Sequence, residues 1–212
     1  LLLVFEEGQS YGQQAIDADP GNVNGYYWKA SNIGRWGQTK GILDSLFKAG
    51  EMRDLLAQAL ERDPDHADSY YVLSQLYVAV PRMVSFGNTD YGVSLSRKAV
   101  SIMQQELRQG QRDEISFPYL VKLSEALIAR DWSSRRRERG KMDKRNDYSV
   151  AQNHLEKGWF WEGQISIPNM SDKEEARQIL VDIIRQMERI PDPGISTRRN
   201  LSEAKSLLDG IN

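Results

Sequence analysis

The chain says one phrase twice. Residues 15–27 read A-I-D-A-D-P-G-N-V-N-G-Y-Y, and residues 59–71 read A-L-E-R-D-P-D-H-A-D-S-Y-Y. An alanine, an aliphatic residue, an Asp-Pro pair and a Tyr-Tyr pair recur at one spacing, 44 residues apart. Self-similarity at a period of some tens of residues marks stacked supersecondary units. The residue before a proline avoids the α region. Each copy therefore reads as the end of one helix, a turn, and the start of the next. That pattern predicts a helical array whose work is holding partners.

Helix signals continue along the chain, and strand-like alternation is scarce. The first helix runs over 8–18 and stops at Asp19-Pro20-Gly21. Asn22 or Asn24 caps the second, with Tyr26, Ala30 and Ile33 on one face and a break at Gly34–Gly37. A third carries Ile42, Leu43, Leu46, Phe47, Met52, Leu55, Leu56, Ala59 and Leu60, and 65–79 repeats the aromatic helix. After an inserted loop at 81–91, helices are expected over 93–107, 118–132, 150–161, 176–190 and 200–208. Ser171-Asp172-Lys173-Glu174 reads as a capping box. The expected class is all-α, a single domain over 1–212: repeated hairpins over 1–110, with further helices of 111–212 packed on them.

Composition narrows the function. With 40% hydrophobic and 27% charged residues and a net charge of −2, the 212 residues describe a globular chain with no overall pull toward nucleic acid. The absence of cysteine excludes disulfides, thiolate catalysis and Cys-ligated metal. No run is long enough to span a membrane. Leu1-Leu2-Leu3-Val4 is too short for a signal peptide, while the missing initiator Met leaves room for an export signal upstream.

The repeat resembles the tetratricopeptide motif, whose unit is about 34 residues. An alanine precedes each proline by five residues (Ala15, Ala59), both expected to face inward between stacked hairpins, a tyrosine follows it by six (Tyr26, Tyr70), and Tyr77 falls seven further on. Extra residues at 34–40 and 81–87 make the hairpins irregular. Asp-Pro turns before Tyr-Tyr helices, the proline-and-glycine insertion before Arg97-Lys98-Ala99, and Asn200-x-x-x-Ala204-Lys205-x-Leu207-Leu208 together resemble the T-component (TatT) family of TRAP transporters. That resemblance implies a periplasmic, lipid-anchored protein partnering an extracytoplasmic substrate-binding protein in solute uptake. A cytoplasmic or periplasmic protein–protein adaptor is the second reading, and an all-α hydrolase the third.

In such a hairpin, the groove-facing residues of the first helix meet the partner. Counted from the two prolines they are Asn24, Tyr27, Trp28, Ser31 and Arg35, then Asp68, Tyr71, Val72 and Gln75. Aromatics supply contact area and amides supply paired hydrogen bonds. The competing reading buries Tyr27, Trp28 and Tyr71 against the next hairpin; Tyr26 and Tyr70 are core. The segment 130–145 holds eight basic and three acidic residues. A charge run is usually a solvated face, so docking on an acidic partner, or on this chain's own Glu61, Asp63, Asp65 and Asp68, is expected before nucleic acid. Trp159-Phe160-Trp161 cannot bury three rings on one helix face, so two elements should share them. No nucleophile elbow, Walker loop or helical H-E-x-x-H pair occurs. No catalytic residue, metal ligand or cofactor is therefore assigned.

Overall fold

The computed structural model describes residues 1–83 and 85–211, apart from the side chains of Ile42 and Leu43. Those two, counted above on the stripe of the third helix, thus lie outside the described residues. The described residues form α1 (Leu2–Ala18), α2 (Val23–Lys40), α3 (Ile42–Arg62), α4 (Ala67–Ala79), α5 (Thr89–Arg108), α6 (Phe117–Arg130), α7 (Ser134–Val150), α8 (His154–Trp159), a 3-10 turn (Trp161–Gln164), α9 (Asp172–Glu188) and α10 (Ile195–Gly210), with no strand among them. The class is all-α, as the periodicity implies.

The repeated phrase repeats in three dimensions. Asp19 and Asp63 leave their helices with nearly equal dihedrals (φ/ψ −143/90 and −136/95). Each backbone amide donates to the carbonyl of the phrase's alanine, and each side chain accepts from the amide two residues on, Gly21 at 3.0 Å and Asp65 at 3.1 Å. The Tyr26 hydroxyl donates to the Pro20 carbonyl at 3.2 Å, and Tyr70 to Pro64 at 3.1 Å. A cation covers each ring: Arg62 lies 3.9 Å from the Tyr26 centroid and Lys98 lies 5.8 Å from that of Tyr70. Asn22 caps α2 through its side chain, and His66, a turn residue as its position suggests, caps α4 through Nδ1. A short polar or ring acceptor satisfies the orphan amides either way.

Three local expectations fail for physical reasons. There is no break at Gly34–Gly37: α2 runs to Lys40, and the chain turns at Gly41, whose φ of +133° suits glycine alone. Glycines inside α2 serve packing instead of stopping it. The phrase's alanines are not both inward: Ala59 is fully buried, while Ala15 is exposed. α3 packs against α2, α4 and α8, whereas α1 packs against α2. The close approach of α1 falls to Gly12, where an added Cβ would come within 2.9 Å of the Lys29 backbone. Finally, the segment 150–161 divides into the end of α7, α8 and the 3-10 turn.

α4 pairs with α5, α5 with α6, α6 with α9, and α9 with α10. The main core gathers Tyr26, Ile33, Leu56, Leu60, Tyr70, Leu73, Tyr77, Leu95, Met103 and Leu127. Each fully buried aliphatic there contributes about 1.5–3 kcal/mol. A second cluster of Val121, Leu180, Ile183, Met187 and Ala204 fastens α9 and α10 to α6.

Candidate functional site

Between α2, α3 and α4 the packing leaves an open groove of about 1010 Å³. Its apolar floor comes from Leu46, Ala49 and Met52 of α3 and Val72, Leu76 and Ala79 of α4. Its α2 wall is Tyr27, Trp28, Ser31, Asn32, Arg35 and Gln38. These α2 residues share a face because positions three and four apart stack along a helix. Gly34 and Gly37 let α2 approach α3 closely, since an added Cβ would meet Met52 at 2.7 Å or Ser45 at 2.9 Å.

Seven of the nine residues assigned from the sequence line this groove: Tyr27, Trp28, Ser31, Arg35, Tyr71, Val72 and Gln75. Trp28 is 57% exposed, and Tyr27 packs its ring edge-on against Trp28 and His66 at 5.1 and 5.0 Å. Burial, reinforced by Asp68, pushes the Tyr27 hydroxyl above its ordinary pKa. Ser31 Oγ is enclosed beside that hydroxyl without the alignment of a full hydrogen bond. Two assignments fall elsewhere. Asn24 is exposed at the start of α2, where its amide is capped by Asn22. Asp68 accepts a 2.5 Å hydrogen bond from the Tyr119 hydroxyl, and so ties α4 to α6. The spacing rule picks a helix face; it does not know which parts a later helix covers.

At one end the groove opens into a polar pocket of about 210 Å³, sharing Arg35, Gln38, Tyr71 and Gln75 with it. Pro118, Val121 and Lys122 of α6 and Arg199, Asn200 and Glu203 of α10 complete the lining. Burial raises the Tyr71 pKa, and Lys122, Arg35 and Arg199 pull against it. Sequence reasoning missed the floor residues other than Val72 and the whole α6 and α10 contribution, because nothing in the sequence docks α10 beside the repeat.

Part of the basic segment 130–145 is a structural brace, while Arg135, Arg136, Arg139 and Arg145 remain an exposed face. Arg130, Arg137 and Lys144, seven residues apart, all point inward with Arg97. They meet Asp90, Glu162, Asp172 and Glu175. Arg130 reaches Glu162 at 2.6 Å, Asp172 at 2.8 Å and Asp90 at 2.8 Å. Arg97 reaches Glu162 at 2.8 Å and Glu175 at 2.6 Å, Lys144 reaches Glu162 at 2.7 Å, and Arg137 bonds Glu175. Burial alone would raise the Glu162 carboxyl, yet Lys144, Arg130 and Arg97 hold it well below the usual range. Asp90, Asp172 and Glu175 also sit in first helical turns, where the helix dipole favours an anion. The expected docking on Glu61, Asp63, Asp65 and Asp68 is thus corrected: the partners lie on α5, the 3-10 turn and α9. Trp132 lies under Arg130 and Arg136, each 4.5 Å from its ring, and so belongs to the brace too.

The aromatic triplet splits as expected. Trp159 stacks on Tyr91 at 4.9 Å, while Trp161 turns to Lys98 and donates to Ser101 at 3.1 Å.

Comparison with known proteins corrects the family expectation. A family model described as regulator of microtubule dynamics protein 1-3 matches residues 3–86, less than half of the chain. The match replaces the T-component resemblance, and the substrate-binding-protein partner, periplasmic location and lipid anchor inferred from it lose their support. No curated protein and no solved structure matches. Among the described residues, no helix is long and apolar enough to cross a membrane.

Proposed function

We propose that this chain is a non-enzymatic binding module that docks an apolar segment of a partner protein in the α2–α3–α4 groove. The carrying observation is the groove itself: about 1010 Å³, apolar on its floor and open to solvent. Its size lies at the upper end of small-molecule sites, which run from about 300 to 1,000 Å³. Polar groups from Ser31, Asn32, Gln38, Ser45 and Gln75 are interleaved with the apolar ones, which suits a peptide backbone. Among the described residues its lining includes no carboxylate, histidine or cysteine. The carboxylates that do converge are neutralised by arginine and lysine in the brace. Both observations support binding over hydrolysis.

The tetratricopeptide-like reading of the hairpins belongs to this proposal. Its support is the matching hydrogen bonding at the two Asp-Pro junctions. The family match spans α2, α3 and α4 entirely. Its description makes partners connected with microtubule dynamics the first class to try.

Random dodecamer peptides selected on the immobilised full chain test the reading. Apolar sequences should be enriched, and their binding lost in Leu46→Asp and Leu76→Asp. Trp28→Ala, at an exposed position, serves as the control if either aspartate variant misfolds. Enrichment of nothing, or binding indifferent to all three variants, would remove the groove from the account.

A further inference from the structure

We propose that the α10 end of the groove recognises a carboxylate on the bound protein segment. This rests on the binding reading above and names what that site selects. Three cations face the small pocket: Arg35 from α2, Lys122 from α6 and Arg199 from α10, against one carboxylate, Glu203. Lys122 is held by Glu203 at 2.5 Å and by Glu125 at 2.7 Å. Arg35 and Arg199 have no carboxylate partner among the described residues, and Arg35 makes only a 3.5 Å contact to Gln38. The pocket therefore carries uncompensated positive charge.

Two further polar groups line it without being used. Asn200 is 94% buried, since only 6% of its surface is accessible, and its amide makes no hydrogen bond among the described residues. Its amide atoms are not enclosed and open onto the pocket. The Tyr71 hydroxyl, in contrast to those of Tyr26 and Tyr70, also has no partner there. Two guanidinium groups, an amide and a phenol converge on one space, a donor set that matches the two oxygens of a carboxylate.

The ligand is a protein segment, because the pocket continues into a groove whose apolar floor is bordered by backbone-pairing groups. The segment carries its anion at one end, either as an Asp or Glu side chain or as its own C-terminus. A free fatty acid shares this chemistry at the pocket but has no use for Ser31, Asn32 and Gln38 along the wall.

Peptides selected on the full chain from random dodecamers with free C-termini provide the test. They should carry Asp, Glu or the terminal carboxylate at one fixed distance from their apolar residues. Replacing that group by its amide should weaken binding about ten- to hundredfold, the worth of hydrogen bonds to a charged group. The double variant Arg35→Gln/Arg199→Gln should weaken the acidic peptide equally and the amidated one hardly at all. Both arginines are exposed, so melting should be unchanged. The same acidic peptide should lose affinity as salt rises. Apolar peptides that show no acidic preference and bind both proteins alike would overturn the carboxylate inference and leave the groove standing. Competition by octanoate with no peptide selected would overturn both.

Discussion

The first four helices and the last six solve opposite problems. In α1–α4 the chain leaves apolar surface open: Trp28 is 57% exposed, and Leu46, Val72 and Leu76 on the groove floor are only partly buried. In α5–α10 it buries charge: Arg137 is 2%, Lys144 3% and Glu162 1% exposed. Open apolar surface is a cost that function can justify. Buried ion pairs seldom add net stability over apolar packing, yet they are costly to break singly. The comparison teaches a division of labour: the repeat half presents a surface, and the other half holds it in place.

The largest expected effect breaks the brace. Arg130→Met leaves Glu162, Asp172 and Asp90 short of a cation and should cost about 3–5 kcal/mol in urea unfolding. A loss below about 1 kcal/mol would show the pairs to be water-screened. Next comes Gly12→Ala, whose Cβ must displace the Lys29 backbone and so separate α1 from α2. About 1–3 kcal/mol is expected, read as a lower melting midpoint. Unchanged melting would place the α1–α2 contact outside the folded body's cooperative unit.

Acid sharpens the contrast. Glu162 and Glu175 are held below their ordinary pKa by the cations around them. Their folded values lie under the unfolded one of about 4.3. The brace therefore contributes its full stability above that value, and loses it as pH falls toward the folded pKa. Chemical denaturation between pH 6 and 3 should show this fall, and Glu162→Gln should flatten it. Equal slopes for both proteins would contradict the cause assigned here.

Smaller effects test the repeat. Tyr26→Phe and Tyr70→Phe each delete a hydroxyl bonded to the proline carbonyl and should each cost about 0.5–1.5 kcal/mol. Tyr26 should sit at the upper end, since Arg62 also donates to its hydroxyl at 2.6 Å. A cost from one tyrosine alone would break the equivalence of the two junctions. Least of all, Trp28→Ala should change stability by no more than about 0.5 kcal/mol, being an exposed side chain.

The repeat half was legible because its signals are local. Asp-Pro-x-x-x-x-x-Tyr encodes a turn, a cap and a ring that returns to the proline carbonyl, all within eight residues. Seven groove residues followed from helix periodicity alone. The brace was illegible to the same method, since α7 has almost no apolar stripe to count. Its signal was the pair Arg137 and Lys144, seven residues apart on α7, a buried face written in cations, with Arg130 added from the end of α6. Reading it needed the carboxylates of α5 and α9, which are 40 or so residues away and carry no sequence mark of their own. Ala15 was misplaced for a related cause: the phrase repeats but its packing does not, since α3 packs on α2, α4 and α8 whereas α1 packs on α2.

Amide shift mapping of the labelled full chain, titrated with one selected apolar peptide, tests this division most directly. The account predicts perturbations at Trp28, Ser31, Val72, Gln75 and Leu76, with the amides of Arg137, Lys144 and Glu162 unmoved. Shifts centred on α7, or on the outer face of α1, would contradict it.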